Sequence, residues 1–120
     1  MIKFIDANIF IERWSNAKAR ELIDNLDREQ HCTSVLALAE VYHKLKKKDI
    51  DSFEYLRNIM GAIKVQDVTT ADLFNAMKSN IDININDRIH IATMKRNDMN
   101  TIVSQDTDFD KDSTIVREEL

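Results

Sequence analysis

One glycine, no proline and one cysteine in 120 residues exclude several protein classes at once. Walker loops, dinucleotide fingerprints and glycine-framed nucleophile elbows need glycines at fixed offsets, and Gly61 alone meets none of them. Phosphate cradling by a glycine-rich loop is therefore excluded. Cys32 has no second cysteine with which to form an internal disulfide. No apolar h-region opens the chain and no apolar run reaches membrane length, so a soluble, cytoplasmic protein without a membrane role is expected. Cationic residues are also short: 17 Lys and Arg stand against 21 Asp and Glu, a net charge of −4. That balance argues against a nonspecific basic coat for DNA.

What is present is a repeated strand-then-helix pattern. A chain of 14.0 kDa fits one domain, expected to span residues 1–120, and can bury roughly two-thirds of its unfolded surface. Residues 2–5 read as a first strand, followed by a short helix over 9–14 with Asn8 placed to cap it. A second helix is expected from Ser15-Asn16 to Arg28, on the helical spacing of Ala19, Leu22, Ile23 and Leu26, and a second strand at 31–33. Ser34 can cap a third helix that ends in Lys46-Lys47-Lys48, where cations suit the negative end of its dipole. Phe53, Leu56 and Met60 suggest a fourth helix, and 62–66 a third strand. A fifth helix is expected over 71–79, with Leu73, Ala76 and Met77 inward. The extended stretch 80–86 then leads into a sixth helix over 87–97. Strands at 101–104 and 114–116 close the pattern, which predicts an α/β fold with a parallel sheet of four to five strands and helices on both faces.

Four carboxylates fall at telling places in this pattern. Asp6 closes the apolar run Ile2–Ile5 and Asp106 follows Thr101–Gln105, so both should emerge at the carboxyl ends of parallel strands, where open α/β sheets bind ligands. Glu40 lies on the third helix and Asp87 opens the sixth. Four acids in one crevice repel one another, and a divalent cation is the simplest compensation. With those four neutralised, 17 cations face 17 remaining acids, so an acidic chain can still take a nucleic-acid substrate. Each acid alone has an ordinary structural reading: a loop-start cap for Asp6, a partner of Lys44 at i, i+4 for Glu40, a first-turn acid for Asp87 and a turn residue for Asp106.

The four acids sit in motifs that resemble those of the PIN-domain nucleases, especially the small VapC-type toxins. Phe4-Ile5-Asp6-Ala7-Asn8 is similar to the family's opening signature, and Thr33 to Val41, containing Glu40, to its second motif. Asp87 to Thr93 resembles the third, and Ser104-Gln105-Asp106-Thr107-Asp108-Phe109 the closing element. Two departures are visible: Ser104 replaces the usual threonine, and His90 stands where the family more often has an apolar residue.

The resemblance implies a PIN domain that hydrolyses RNA phosphodiesters with Mg²⁺ or Mn²⁺, hard ions suited to oxygen ligands. It implies Asp6, Glu40, Asp87 and Asp106 as catalytic and metal-holding acids, with Asn8, Ser104 and Asp108 in support. Asn8 would both cap its helix and bond the site, whereas Asp108 leans to turn capping. Arg13, Lys44 and Arg88 are the candidate RNA contacts, Arg88 first among them. His31, His43 and His90 lack zinc-site spacing and read as structural or surface residues. An antitoxin partner and a homodimer are expected by family likeness.

The competing readings are a housekeeping RNA-processing PIN nuclease and a degenerate PIN scaffold, for which Trp14, Tyr42, Phe53 and Tyr55 would line a partner groove. A phosphatase of the Asp-x-Asp type is disfavoured because the triplet here is Asp6-Ala7-Asn8. A phosphoacceptor receiver is disfavoured because the acidic pair it needs after the first strand is missing.

Overall fold

The structure is a computed structural model describing residues 1–120. Five parallel strands form one sheet in the order β3-β2-β1-β4-β5, with β1 at Lys3–Ile5, β2 at His31–Ser34, β3 at Lys64–Gln66, β4 at Thr101–Val103 and β5 at Val116–Glu118. Successive strand side chains point to opposite faces, so each central strand feeds two cores. Ile5 and Val103 join one apolar cluster with Ile9, Phe10, Val41, Leu45 and Ile59, while Phe4 and Ile102 join the other with Ile91, Met94 and Phe109. The first is covered by α1 (Ala7–Ile11), α2 (Ala17–Asp24), α3 (Val35–Lys47) and α4 (Phe53–Ala62). The second is covered chiefly by α6 (Ile85–Arg96), against whose outer side α5 (Thr70–Lys78) packs.

Strand order reverses at β1: the chain leaves it for β2 on one side and later returns to β4 on the other. Such a reversal opens a crevice beyond the carboxyl ends of the two central strands. The Asp6 N–H donates to Val103 O at 3.0 Å, extending the β1–β4 ladder by one bond and setting Asp6 beside Ser104. Ser34 caps α3 as expected, its hydroxyl accepting from the Ala37 N–H at 3.1 Å. No helix is long and apolar enough to cross a membrane.

Several expectations are corrected. The first helix begins at Ala7, and its cap is Asp6, whose Oδ1 accepts from the Ala7 N–H at 2.8 Å; Asn8 lies inside the helix. A 3-10 turn over Glu12–Trp14 completes the segment. α2 stops at Asp24, because residues from Asp27 onward form a turn in which Asp27 Oδ1 accepts from the Glu29 N–H. On α5, Leu73 and Met77 are exposed. The inward line is Asp72 and Ala76, because α6 offers Arg96 and Thr93 as polar partners for the carboxylate. α6 starts at Ile85, not Asp87, because Asn84 caps it. β5 starts two residues late, since Asp112 holds Thr114 in a turn.

Candidate metal centre

Four short chain segments deliver the acids to the crevice. Asp6 is nearly sealed from solvent and held through both oxygens: besides capping α1 through Oδ1, its Oδ2 accepts from the Ser104 hydroxyl at 2.7 Å and the Asn8 amide at 3.1 Å. Ser104 is the hub, since the same oxygen accepts from the Asp106 N–H at 3.0 Å and from Asn8 Nδ2 at 3.1 Å. A hydroxyl offers one proton and two lone pairs, and all three are engaged here. Asn8 Oδ1 in turn accepts from the Gln105 N–H at 3.3 Å. Asn8 therefore stitches the β1 exit to the β4 exit.

Asp106 caps the 3-10 turn Thr107–Lys111, its Oδ1 accepting from the Asp108 N–H at 2.9 Å. Asp87 occupies the first turn of α6, where its N–H donates to Asn84 Oδ1 and its Oδ2 accepts from Asn84 Nδ2 at 2.8 Å. Carboxylate oxygens of Asp87, Asp106 and Asp108 all lie within 4.8 Å of one another. A second group, with the same limit, joins Asp6, Glu40 and the His90 imidazole. His90 is the residue that sequence reasoning missed. It is fully buried, with Nε2 at 2.7 Å from Glu40 Oε1 and 3.9 Å from Asp6 Oδ1. The available signal was its position three residues after Asp87, which puts both side chains on one side of the helix.

The electrostatics record the crowding. Burial, then the charges of Asp6, Asp106 and Glu40, push the Asp87 carboxyl up to about 7, with His90 opposing. Burial likewise raises Asp6 above the usual carboxylate range against the pull of His90 and Ser104. For His90, burial alone would lower the pKa, but the Glu40 hydrogen bond and the charges of Asp6, Glu40 and Asp87 outweigh it and raise it. A carboxyl pushed up to about 7 by burial and by neighbouring acids is one that a cation would stabilise in its charged form. The donor set is dominated by hard oxygens, which suits a divalent cation of the Mg²⁺, Ca²⁺ or Mn²⁺ kind.

The cleft of about 280 Å³ is lined by Asp6, Asn8, Glu40, Lys44, Asp87 and Asp106. Lys44 is thus the expected RNA contact that shares the acids' cleft, though Glu40 makes its close contact with His90 and not with Lys44. Arg13 is elsewhere, paired with Asp24 at 2.9 Å. Arg88 turns away from the acids: its Nε donates to Ile83 O at 3.0 Å, and it lines a separate cleft with Lys95 and Asp112. Adjacency to Asp87 in sequence therefore misleads, because neighbours on a helix diverge by about 100°.

The profile of the PIN domain matches residues 3–112. The chain belongs to the PIN domain family. No curated protein matches it in sequence. Among solved structures, this PIN domain is similar to a chain of a toxin–antitoxin complex from Klebsiella pneumoniae, with TM-score 0.76, 18% identity and coverage of 98% of this chain and 99% of that one. It is also similar to a chain of VapBC2 from Rickettsia felis bound to promoter DNA, with TM-score 0.72, 16% identity and coverage of 100% and 99%. A third is VapC20 of Mycobacterium tuberculosis, described as a sarcin-ricin loop cleaving toxin, with TM-score 0.71, 17% identity and coverage of 89% and 92%. At these identities the likeness is one of fold.

Proposed function

We propose that this PIN domain is a divalent-metal-dependent endoribonuclease that hydrolyses RNA phosphodiester bonds, and that it is the toxin of a VapBC-type pair. The observation that carries this reading is the convergence of Asp6, Glu40, Asp87 and Asp106, joined by Asp108, at the strand-order reversal, with Asp87 pushed up to about 7 by burial and by the charges of the neighbouring acids. Asp6, Asp87 and Asp106 would hold Mg²⁺ or Mn²⁺, with Glu40 as a further ligand. When bound, such an ion activates water and offsets charge on the phosphate.

The chain's own residues do the rest. Ser104 and Asn8 fix the Asp6 carboxylate, so it meets the cation without reorganising. Asn84 fixes Asp87 in the same manner. Lys44, at the rim of the cleft, supplies a cation for a substrate phosphate. An antitoxin partner is supported by the toxin–antitoxin complexes among the similar structures. A homodimer and a cytoplasmic site of action complete the proposal by family likeness.

The test is cleavage of a structured RNA by purified protein with Mn²⁺ or Mg²⁺, with EDTA, and by Asp6→Asn. Metal-dependent cleavage lost in the variant is expected, since contaminating nuclease does not depend on Asp6. Equal cleavage by the variant would overturn the assignment.

A further inference from the structure

The grouping of Asp6, Glu40 and His90 within 4.8 Å has the outward form of a mixed nitrogen and oxygen cation site. The surroundings of the imidazole argue otherwise. His90 Nδ1 is buried with no hydrogen-bond partner, while Nε2 lies 2.7 Å from a carboxylate oxygen of Glu40. A carboxylate only accepts, so Nε2 carries the proton, and in the neutral ring Nδ1, which faces no acceptor, is the bare nitrogen. To ligate a cation through Nε2, the ring would have to give up that proton and protonate Nδ1 instead. The Nδ1–H would then be sealed in the core beside the Phe4 ring, 5.5 Å away between centroids, with no acceptor. Orphaned buried N–H groups are rare because they are costly, and histidines that do bind metals almost always donate their other ring N–H to an acceptor.

We infer that His90 is a positioning residue: its Nε2–H holds Glu40 Oε1 and so presents the other carboxylate oxygen, Oε2, to a cation held among the acids. The geometry supports the division of labour. Oε1 is taken up at 2.7 Å, whereas Oε2 has only a 3.4 Å contact from the Asn86 amide, which is half-buried and easily exchanged. Glu40 comes from α3 and His90 from α6, so this one bond also fixes how the third acid stands relative to Asp87. A longer glutamate at the rim needs this restraint more than Asp6 does, because Asp6 is already held by Ser104, Asn8 and its own helix.

The inference rests on the proposed metal dependence, and its test reads metal binding directly. Mn²⁺ affinity is measured by the EPR signal of free Mn²⁺ on wild type, His90→Gln, His90→Asn and His90→Leu, with thermal melts to check folding. The Gln amide nitrogen reaches the place of Nε2, and the Asn amide nitrogen that of Nδ1. Wild type and His90→Gln should bind within a few-fold of each other, while His90→Asn and His90→Leu lose roughly 10-fold or more. If His90→Leu fails to fold, the Gln and Asn pair decides. Pulsed EPR of the Mn²⁺-loaded wild type should show no directly bound histidine nitrogen. A bound nitrogen, wild-type affinity in folded His90→Leu and His90→Asn, or equal loss in Gln and Asn would each overturn the positioning role. Absence of Mn²⁺ binding by wild type would instead overturn the metal reading on which it rests.

Discussion

Asp72 and Asp87 are the same residue at the same place on neighbouring helices, yet their environments push them in opposite directions. Each is the third residue of its helix, each is nearly sealed from solvent, and each shares hydrogen bonds with the residue that caps that helix. Asp72 meets the Arg96 guanidinium at 2.8 and 3.0 Å and the Thr93 hydroxyl at 3.0 Å. Burial alone would raise its pKa, but those bonds, with the Thr69 N–H, hold it below the ordinary 3.8. Asp87 bonds Asn84 and faces other acids, and burial with those charges outweighs the opposing pull of His90 and lifts it to about 7. The fold can therefore neutralise a buried aspartate at this position when it places an arginine beside it. At Asp87 it places acids instead, and leaves compensation to something from outside the chain.

The largest contrast follows from removing each charge. Asp87→Asn should cost activity by at least about 10²-fold, the scale of losing a pre-organised electrostatic group, while the metal-free protein melts no lower than wild type. Asp72→Ala should do the reverse, leaving cleavage of RNA in place but lowering stability by roughly 2–3 kcal/mol, the scale of hydrogen bonds to a charged group. Chemical denaturation and a cleavage assay on the two variants check both. A destabilised Asp87→Asn with full activity would erase the distinction.

Most of the site was legible because its acids are tied to features with local signatures. Asp6 and Asp106 follow apolar strand runs, Glu40 follows a serine-capped helix start, and Asp87 lies in the first turn of a helix. The parallel sheet was legible for the same reason. His90 was not, since a histidine among apolar helix residues reads as a core or surface side chain, and its partner Glu40 is 50 positions away. The α5 face was misread because hydrophobicity alone selects Leu73 and Met77. Their exposure follows from the Asp72–Arg96 pair, which takes the inward line and cannot be anticipated without knowing that α6 lies alongside. Asn8 was given the capping role of Asp6 because both residues are good caps and a one-residue difference in helix start decides between them.

The two aspartates also part company with pH. A folded carboxyl held near 7 keeps a proton that the unfolded chain, near 3.8, releases, so stability from Asp87 is lost as pH rises from about 4 through about 7. Asp6 and His90, both raised, add the same sign. Asp72 acts oppositely: its contribution is present above 3.8 and is lost only as pH falls through its lower folded value. The metal-free protein should therefore melt higher at pH 5.5 than at pH 8 by a few degrees, roughly the shift that 1 kcal/mol brings in a domain of this size. Asp87→Asn should flatten that slope, Asp72→Asn should leave it, and saturating Mn²⁺ should reduce or invert it. Thermal melts with EDTA and with Mn²⁺ across that range decide. A slope unchanged in Asp87→Asn would show that the crowding is not felt there.

The smallest effect separates two cations as the first separates two acids. Lys44 lies in the acids' own cleft, whereas Arg88, next to Asp87 in sequence, donates to Ile83 O and faces away. Lys44→Ala should weaken RNA binding about equally across sequences and lower the slope of log affinity against log salt by about 1, the signature of one phosphate contact. Arg88→Ala should leave that slope unchanged. Binding is best measured on the inactive Asp6→Asn background at several salt concentrations, so that cleavage does not intrude. A reversed result, with the slope falling in Arg88→Ala and holding in Lys44→Ala, would move the RNA path off the acid cleft and onto the face of α6 shared by Arg88 and Lys95.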